Sequence, residues 1–296
     1  MEGVKTPTIG GSAALEGVMM KAPGAWALAV RLPSGEIHVE RHPDPADWTR
    51  RPWARWPLVR GLVALIDALR VSYLALARSA QLVEGEEEPI GRGALWATMA
   101  VSTLVGILFF IVLPAYLAGF AADARAHPVL FNALAGTLKA AVLVGYLWFL
   151  RRFPDTRRFF MYHGAEHKAI HAFEKGLPLT VANVRAQPRF HPRCGTTFIA
   201  FVILASILVY SFLPRADLLW WRLLGRVVFL PLVAGVAFEL LRFSASHQDP
   251  LSRALRWLGF RFQGLTVDEP TDAMIEVAIQ STQAAVADHE AAPLVA

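Results

Sequence analysis

From Gly93 to Ala122 the chain carries no charged side chain. As a helix, 93–122 would extend about 45 Å, more than the roughly 30 Å of a bilayer's hydrocarbon core. Only a segment that pairs its backbone groups internally can lie there, so this run is expected as a transmembrane helix, kinked or shortened by Pro114. Two further apolar runs follow: 129–150, with Lys139 as its one charge, and 195–213, with none. A fourth, 223–243, has Arg226 near one end and Glu239 near the other, where terminal charges can snorkel or pair. A hydrophobic content of 55% and a mean hydropathy of +0.40 argue in the same direction, against an ordinary soluble protein. The expected fold class is mainly α: a polytopic membrane protein with about four transmembrane helices, an N-terminal cytoplasmic module with a small β-hairpin, and amphipathic cytoplasmic helices.

The segment 151–194 holds nine Lys or Arg, whereas 121–128 offers only Arg125 and 214–222 only Arg215 and Arg222. Under the positive-inside rule the central segment is cytoplasmic, and so are both termini. The first span is expected to insert directly, since the first ninety residues are too mixed and too basic for a signal peptide. The net charge of +5 and the isoelectric point near 9.6 follow from that topology and from contact with anionic lipid. The same basic face suits a protein or ribosome partner, and no specific DNA binding is expected.

Local patterns divide the chain. Residues 1–57 read as a cytoplasmic β-containing module: WALAVRL, PSG and EIHVER form a hairpin with Gly35 in the turn, and Gly10, Gly11 and Gly17 suit tight turns. Trp48, Trp53 and Trp56 among prolines and arginines suit the headgroup level. Residues 58–92 combine an amphipathic helix from Leu58 to Leu82 with an acidic linker, Glu84 and Glu86 to Glu88, closed by Pro89. A first transmembrane hairpin occupies 93–150, the central cytoplasmic segment 151–194, a second transmembrane hairpin 195–246 and a cytoplasmic C-terminal segment 247–296. In the last of these, Met274, Val277, Ala278 and Ile279 recur at helical spacing, as in a helix docked on the N-terminal module.

Chemistry concentrates in the central segment. HGAEH sets His163 and His167 one helical turn apart with Glu166 beside them, the HxxEH arrangement of inverted zinc peptidases. Asp155 or Thr156 is positioned to cap that helix, and Gly176 and Pro178 to stop it; Leu177 to Pro192 then reads as a loop leading to FHPRCG. His191, Cys194 and Glu239 fall on the same side of the membrane and are the expected further ligands of a zinc ion, with Glu166 as catalytic base. With a fourth protein ligand the site would instead be structural. His171 and Glu174 read as solvent-facing, and His38, His42, His127 and His289 as surface residues. Glu239 serves equally as partner to a buried arginine, and Lys139 as partner to Glu239 or to backbone carbonyls.

GGSAALEGVMMKAP, YHGAEHKAIHAFE, HPRCGTTF, PLVAGVAFELLRFS and LTVDEPTDAMIEVAI occur in that order and together resemble the YqhQ-like bacterial membrane proteins. The likeness covers almost the whole chain. That family is a domain of unknown function labelled "predicted metal-dependent enzyme". The resemblance implies a multi-pass inner-membrane protein whose cytoplasmic blocks map onto His163, Glu166, His167, His191 and Cys194. Relatives carry Glu and Arg in the second span where this chain has Ala135 and Lys139.

Two functions follow as expectations. One is a metal-dependent hydrolase acting at the cytoplasmic leaflet on a peptide or lipid-linked substrate. The other is a non-catalytic membrane factor that docks a ribosome, translocon or other membrane protein through its basic surface. A transporter is less favoured, because no inverted repeat is evident.

Overall fold

A computed structural model describes residues 7–44, 47, 51–85, 92–123, 126–212 and 219–290. The N-terminal hairpin is there, extended to a four-stranded antiparallel meander of β1 (Gly10–Ala14), β2 (Gly17–Ala22), β3 (Ala25–Arg31) and β4 (Ile37–Pro43). Leu15 and Glu16 turn β1 into β2, Gly24 (φ +87°) closes the next turn, and Gly35 (φ +90°) sits in the turn before β4. Both faces of β2 and β3 are covered, so these strands lack a clean polar alternation, whereas the edge strand β4 stays partly exposed. Val18, Met20, Ala27 and Ala29 pack toward α5 (Pro154–Glu174) and α11 (Asp272–Glu290). Met19, Trp26, Leu28 and Val30 pack toward Val71 and Ala75 of α1 (Val59–Glu84). In α11 the four expected positions are buried against this module.

The amphipathic helix α1 is a bridge. Its middle lies on the sheet, where Lys21 and Arg70 meet the buried Asp44 and Asp67, Arg70 at 2.7 and 2.9 Å. Its start lies on α9 (Leu230–Ser246), where Gly61 meets Phe238 at a distance that excludes a side chain. Trp48 and residues 86–90, which hold most of the expected acidic linker, are outside the described residues.

Two helical stretches are long and apolar enough to cross a membrane, Trp96–Ala121 and Pro128–Leu150. Only 17% and 11% of their most apolar windows are buried, unlike the core helices of a soluble protein. The first comprises α2 (Arg92–Ile107), a π-helical turn at Leu108–Val112 and α3 (Leu113–Ala121). Pro114 has no N–H for the preceding turn, and the widened turn just ahead of it accommodates the loss. The second is α4. Of the other two expected spans, α7 (Gly195–Ser211) is apolar but has 17 residues, and the last is divided at Phe229 into α8 (Leu219–Val228) and α9, which restarts at Leu230 with Pro231 in its first turn. Lys139 does not pair with Glu239: its ammonium donates to Ser206 Oγ of α7 at 3.0 Å. A short helix α6 (Val181–Arg185) interrupts the expected loop at 177–192, and α10 (Pro250–Gln263) packs on α7 and α9.

Candidate metal centre

Helix α5 starts at Pro154, with Phe153 rather than Asp155 or Thr156 before it, because proline's fixed φ and missing N–H suit the first helical turn. Its inward face carries His163, Glu166 and His167, and it crosses the segment 264–268 at Gly164. A Cβ there would lie 2.1 Å from the Asp268 carbonyl oxygen, so only glycine permits the approach. That approach lets Thr266 O accept a hydrogen bond from His163 Nδ1 at 3.0 Å. Arg189 O does the same for His167 Nδ1 at 2.6 Å. Both rings are thereby oriented by backbone carbonyls, with Nε2 left to accept, which is how a metal-ligating histidine is fixed.

The third donor comes from the end of the 177–194 segment. Cys194 is the N-cap of α7, where its sulfur accepts the Thr196 amide at 3.3 Å, and Sγ also lies 3.3 Å from His163 Nε2. One donor atom from each of His163, His167 and Cys194 falls within 4.8 Å of the other two. Two neighbours around a tetrahedral zinc with nitrogen and sulfur ligands stand about 3.5 Å apart, close to the 3.3 Å between Cys194 Sγ and His163 Nε2, so these three residues could hold a metal ion. Burial lowers the His167 pKa from the usual imidazole range, which keeps the ring in its neutral, ligating form.

Glu166 lies just outside that set. Its Oε2 is 3.8 Å from His163 Nε2, and its stem packs under β1, where a side chain at Gly11 would meet Glu166 Cγ at 2.9 Å. Gly11 lies within β1 and serves this close approach rather than the expected turn. The carboxyl is fully buried; desolvation pushes its pKa up to about 7, against the opposing pull of His163.

The structure does not bring His191 or Glu239 into the three-donor cluster. Glu239 accepts from Arg60 Nε at 2.7 Å and from the Leu58 amide at 3.3 Å, which makes it a clamp between α1 and α9. His191 stands one step along α5, its Nε2 3.3 Å from Glu174 Oε2 and its ring 4.7 Å from that of His171. His171 and Glu174 thus join a cluster that their spacing alone assigned to solvent. His38 and His42 also have partners, both contacting Glu40.

Gln263 carried no signal in the sequence and is fully buried here. Its side-chain amide donates to His191 O at 2.7 Å and accepts from His191 N at 3.0 Å, anchoring the HPRC loop to α10. The basic residues of the segment are largely engaged within the chain: Arg151 with Asp268, Arg158 with Glu16 and Arg185 with Asp272.

The fold and site together define a mainly helical protein with a small antiparallel sheet, two helices long and apolar enough to cross a membrane, and a His-His-Cys cluster beside a buried carboxylic acid. The family described as "Protein of unknown function (DUF1385)" matches residues 56–288, and the chain belongs to it. It is 33% identical to "Uncharacterized protein YqhQ" of Bacillus subtilis (strain 168) over 290 residues, 93% of this chain and 91% of that protein. No solved structure matches.

Proposed function

We propose that this chain is a multi-pass protein of the bacterial inner membrane, with both termini cytoplasmic, and that it is a metal-dependent hydrolase. Its four spans are the stretch through α2 and α3, then α4, α7, and the broken pair α8 and α9. At 17 residues α7 reaches the lower limit for crossing, and it packs between α4 and α9. Zinc is held by His163, His167 and Cys194. The observation that carries this reading is the meeting of these three donors, oriented by backbone carbonyls, with Glu166 at their edge.

A bound zinc supplies Lewis acidity toward a substrate carbonyl and toward water. Glu166 takes the proton of the attacking water at its carboxylate and returns it to the leaving group. The carboxylate form of Glu166 that this role requires would be favoured by a cation held on the three donors, against the effect of burial. The Glu166 side chain is itself buried, packed under β1 at Gly11. The docking function draws on the basic segment; the engagement of Arg151, Arg158 and Arg185 in internal ion pairs favours the catalytic reading over it.

The test is metal analysis of the full chain purified in detergent, paired with turnover of a quenched fluorescent peptide library and of lipid-linked ester substrates. Wild type is expected to hold stoichiometric zinc, His163→Ala to lose it, and Glu166→Gln to keep zinc and fold while losing turnover. Metal-free wild type, or undiminished turnover in Glu166→Gln, would overturn the reading.

A further inference from the structure

His163, His167, His171 and Glu174 recur at intervals of four, four and three, so they form one continuous stripe along α5. The inner part of that stripe is the centre described above. The outer part meets His191, and one donor atom from each of His171, Glu174 and His191 lies within 4.8 Å of the other two. We propose that these three residues form a second divalent-metal site, next to the first and independent of it.

Three features set this group apart from an ordinary surface hydrogen-bond network. The 3.3 Å between His191 Nε2 and Glu174 Oε2 is longer than the roughly 2.7–2.9 Å of a charge-assisted hydrogen bond. It equals the spacing of about 3.3 Å between nitrogen and oxygen ligands on a tetrahedral zinc. The three donors are also braced from behind, as ligating side chains are. His171 Nε2 is bonded to Phe190 O at 2.9 Å, the His191 backbone is held on both sides by Gln263, and Arg193 engages Glu174 through its other oxygen, Oε1. Finally, His191 is buried while the Glu174 side chain is 31% exposed, so the group has a dry floor and an open side through which an ion can enter.

The two sites differ in chemistry. The inner one offers a sulfur, whereas the outer one offers two imidazoles and a carboxylate already shared with Arg193, whose charge repels a cation. The outer site therefore binds more weakly. The His167 and His191 rings, one from each group, are 5.9 Å apart, so two ions would be close neighbours along one helix face.

Cobalt(II) titration of the metal-stripped full chain in detergent separates the two. The first equivalent is expected to raise a near-ultraviolet thiolate-to-metal charge-transfer band, and a second, weaker equivalent to add visible d–d absorption without enlarging that band. Glu174→Gln is expected to abolish only the second step, with circular dichroism unchanged; His171→Gln serves as the second variant should Glu174→Gln unfold. Cys194→Ser is expected to remove the thiolate band and keep the second step. A single equivalent with a full thiolate band, or a second step that survives both Glu174→Gln and His171→Gln, would overturn the outer site and leave the inner one standing. Binding at the outer site with no thiolate band would overturn the inner one instead.

Discussion

Cys194 Sγ lies 3.3 Å from His163 Nε2 although 31 residues separate them, and the same sulfur caps α7. The two roles can be pulled apart by Cys194→Ser, because serine is a good N-cap but a poor zinc ligand. Thermal stability in detergent is expected to change little. Zinc affinity, measured by competition with a chelator, is expected to fall by about a hundredfold or more, beyond the tenfold to hundredfold typical of losing a residue that only orients a ligand. An unchanged affinity would reduce Cys194 to a helix cap.

Gly164 is the glycine of HGAEH, and its role is steric. A methyl group there would press on the Asp268 carbonyl and pull Thr266 O away from His163. Gly164→Ala is expected to cost about 1–3 kcal/mol, the usual range for overpacking, and to lower zinc occupancy with it. Gly145→Ala, at a helical position with nothing within 4 Å, is the control and is expected to be neutral or slightly stabilising. Thermal melts and metal content of the two variants decide the matter; equal behaviour would remove the steric role.

His163, Glu166, His167 and Cys194 were legible because their spacing is local or because the topology forces their ends of α5 and α7 together. The helical face docked by α11 and the hairpin with Gly35 were legible for the same reason, as both are periodic over short windows. β1 and β2 were not, since GGSAA and GVMMKA are built from small and flexible residues chosen for close helix packing rather than for strand propensity. The fate of His191, Glu239, Lys139 and Gln263 depends on which partner a side chain meets across the fold, and no local pattern encodes that. Glu239 illustrates the limit, because a carboxylate near a span end suits a ligand and an arginine clamp equally until Arg60 is placed beside it.

The Glu40 carboxyl has its pKa lowered from 4.5 to about 2, first by hydrogen bonds from Arg78, against burial, with His38 and His42 adding to the effect. A depressed carboxylate contributes stability that is fully present above its unfolded value and is lost as the pH falls through the folded one. The melting-temperature gap between wild type and Glu40→Gln should therefore be widest above pH 4.5 and close as the pH approaches about 2. A gap that stays constant over that window would show that the Arg78 contact does not hold the β4 carboxylate to α1.

A hydrolase working at the cytoplasmic leaflet requires α5 to face the cytoplasm. The 151–194 segment has nine basic residues and 121–128 has only Arg125, a contrast that the positive-inside rule converts into an orientation. Cys194 is the sole cysteine, so Cys194→Ser provides a background in which single cysteines report topology. Ala126 and Leu177 are both exposed and lie in these two connections. In intact cells a membrane-impermeant maleimide is expected to label Ala126→Cys and to reach Leu177→Cys only after the membrane is opened. The reverse pattern would put the histidine cluster on the outer face, and a hydrolase working at the cytoplasmic leaflet could not then be built from these residues.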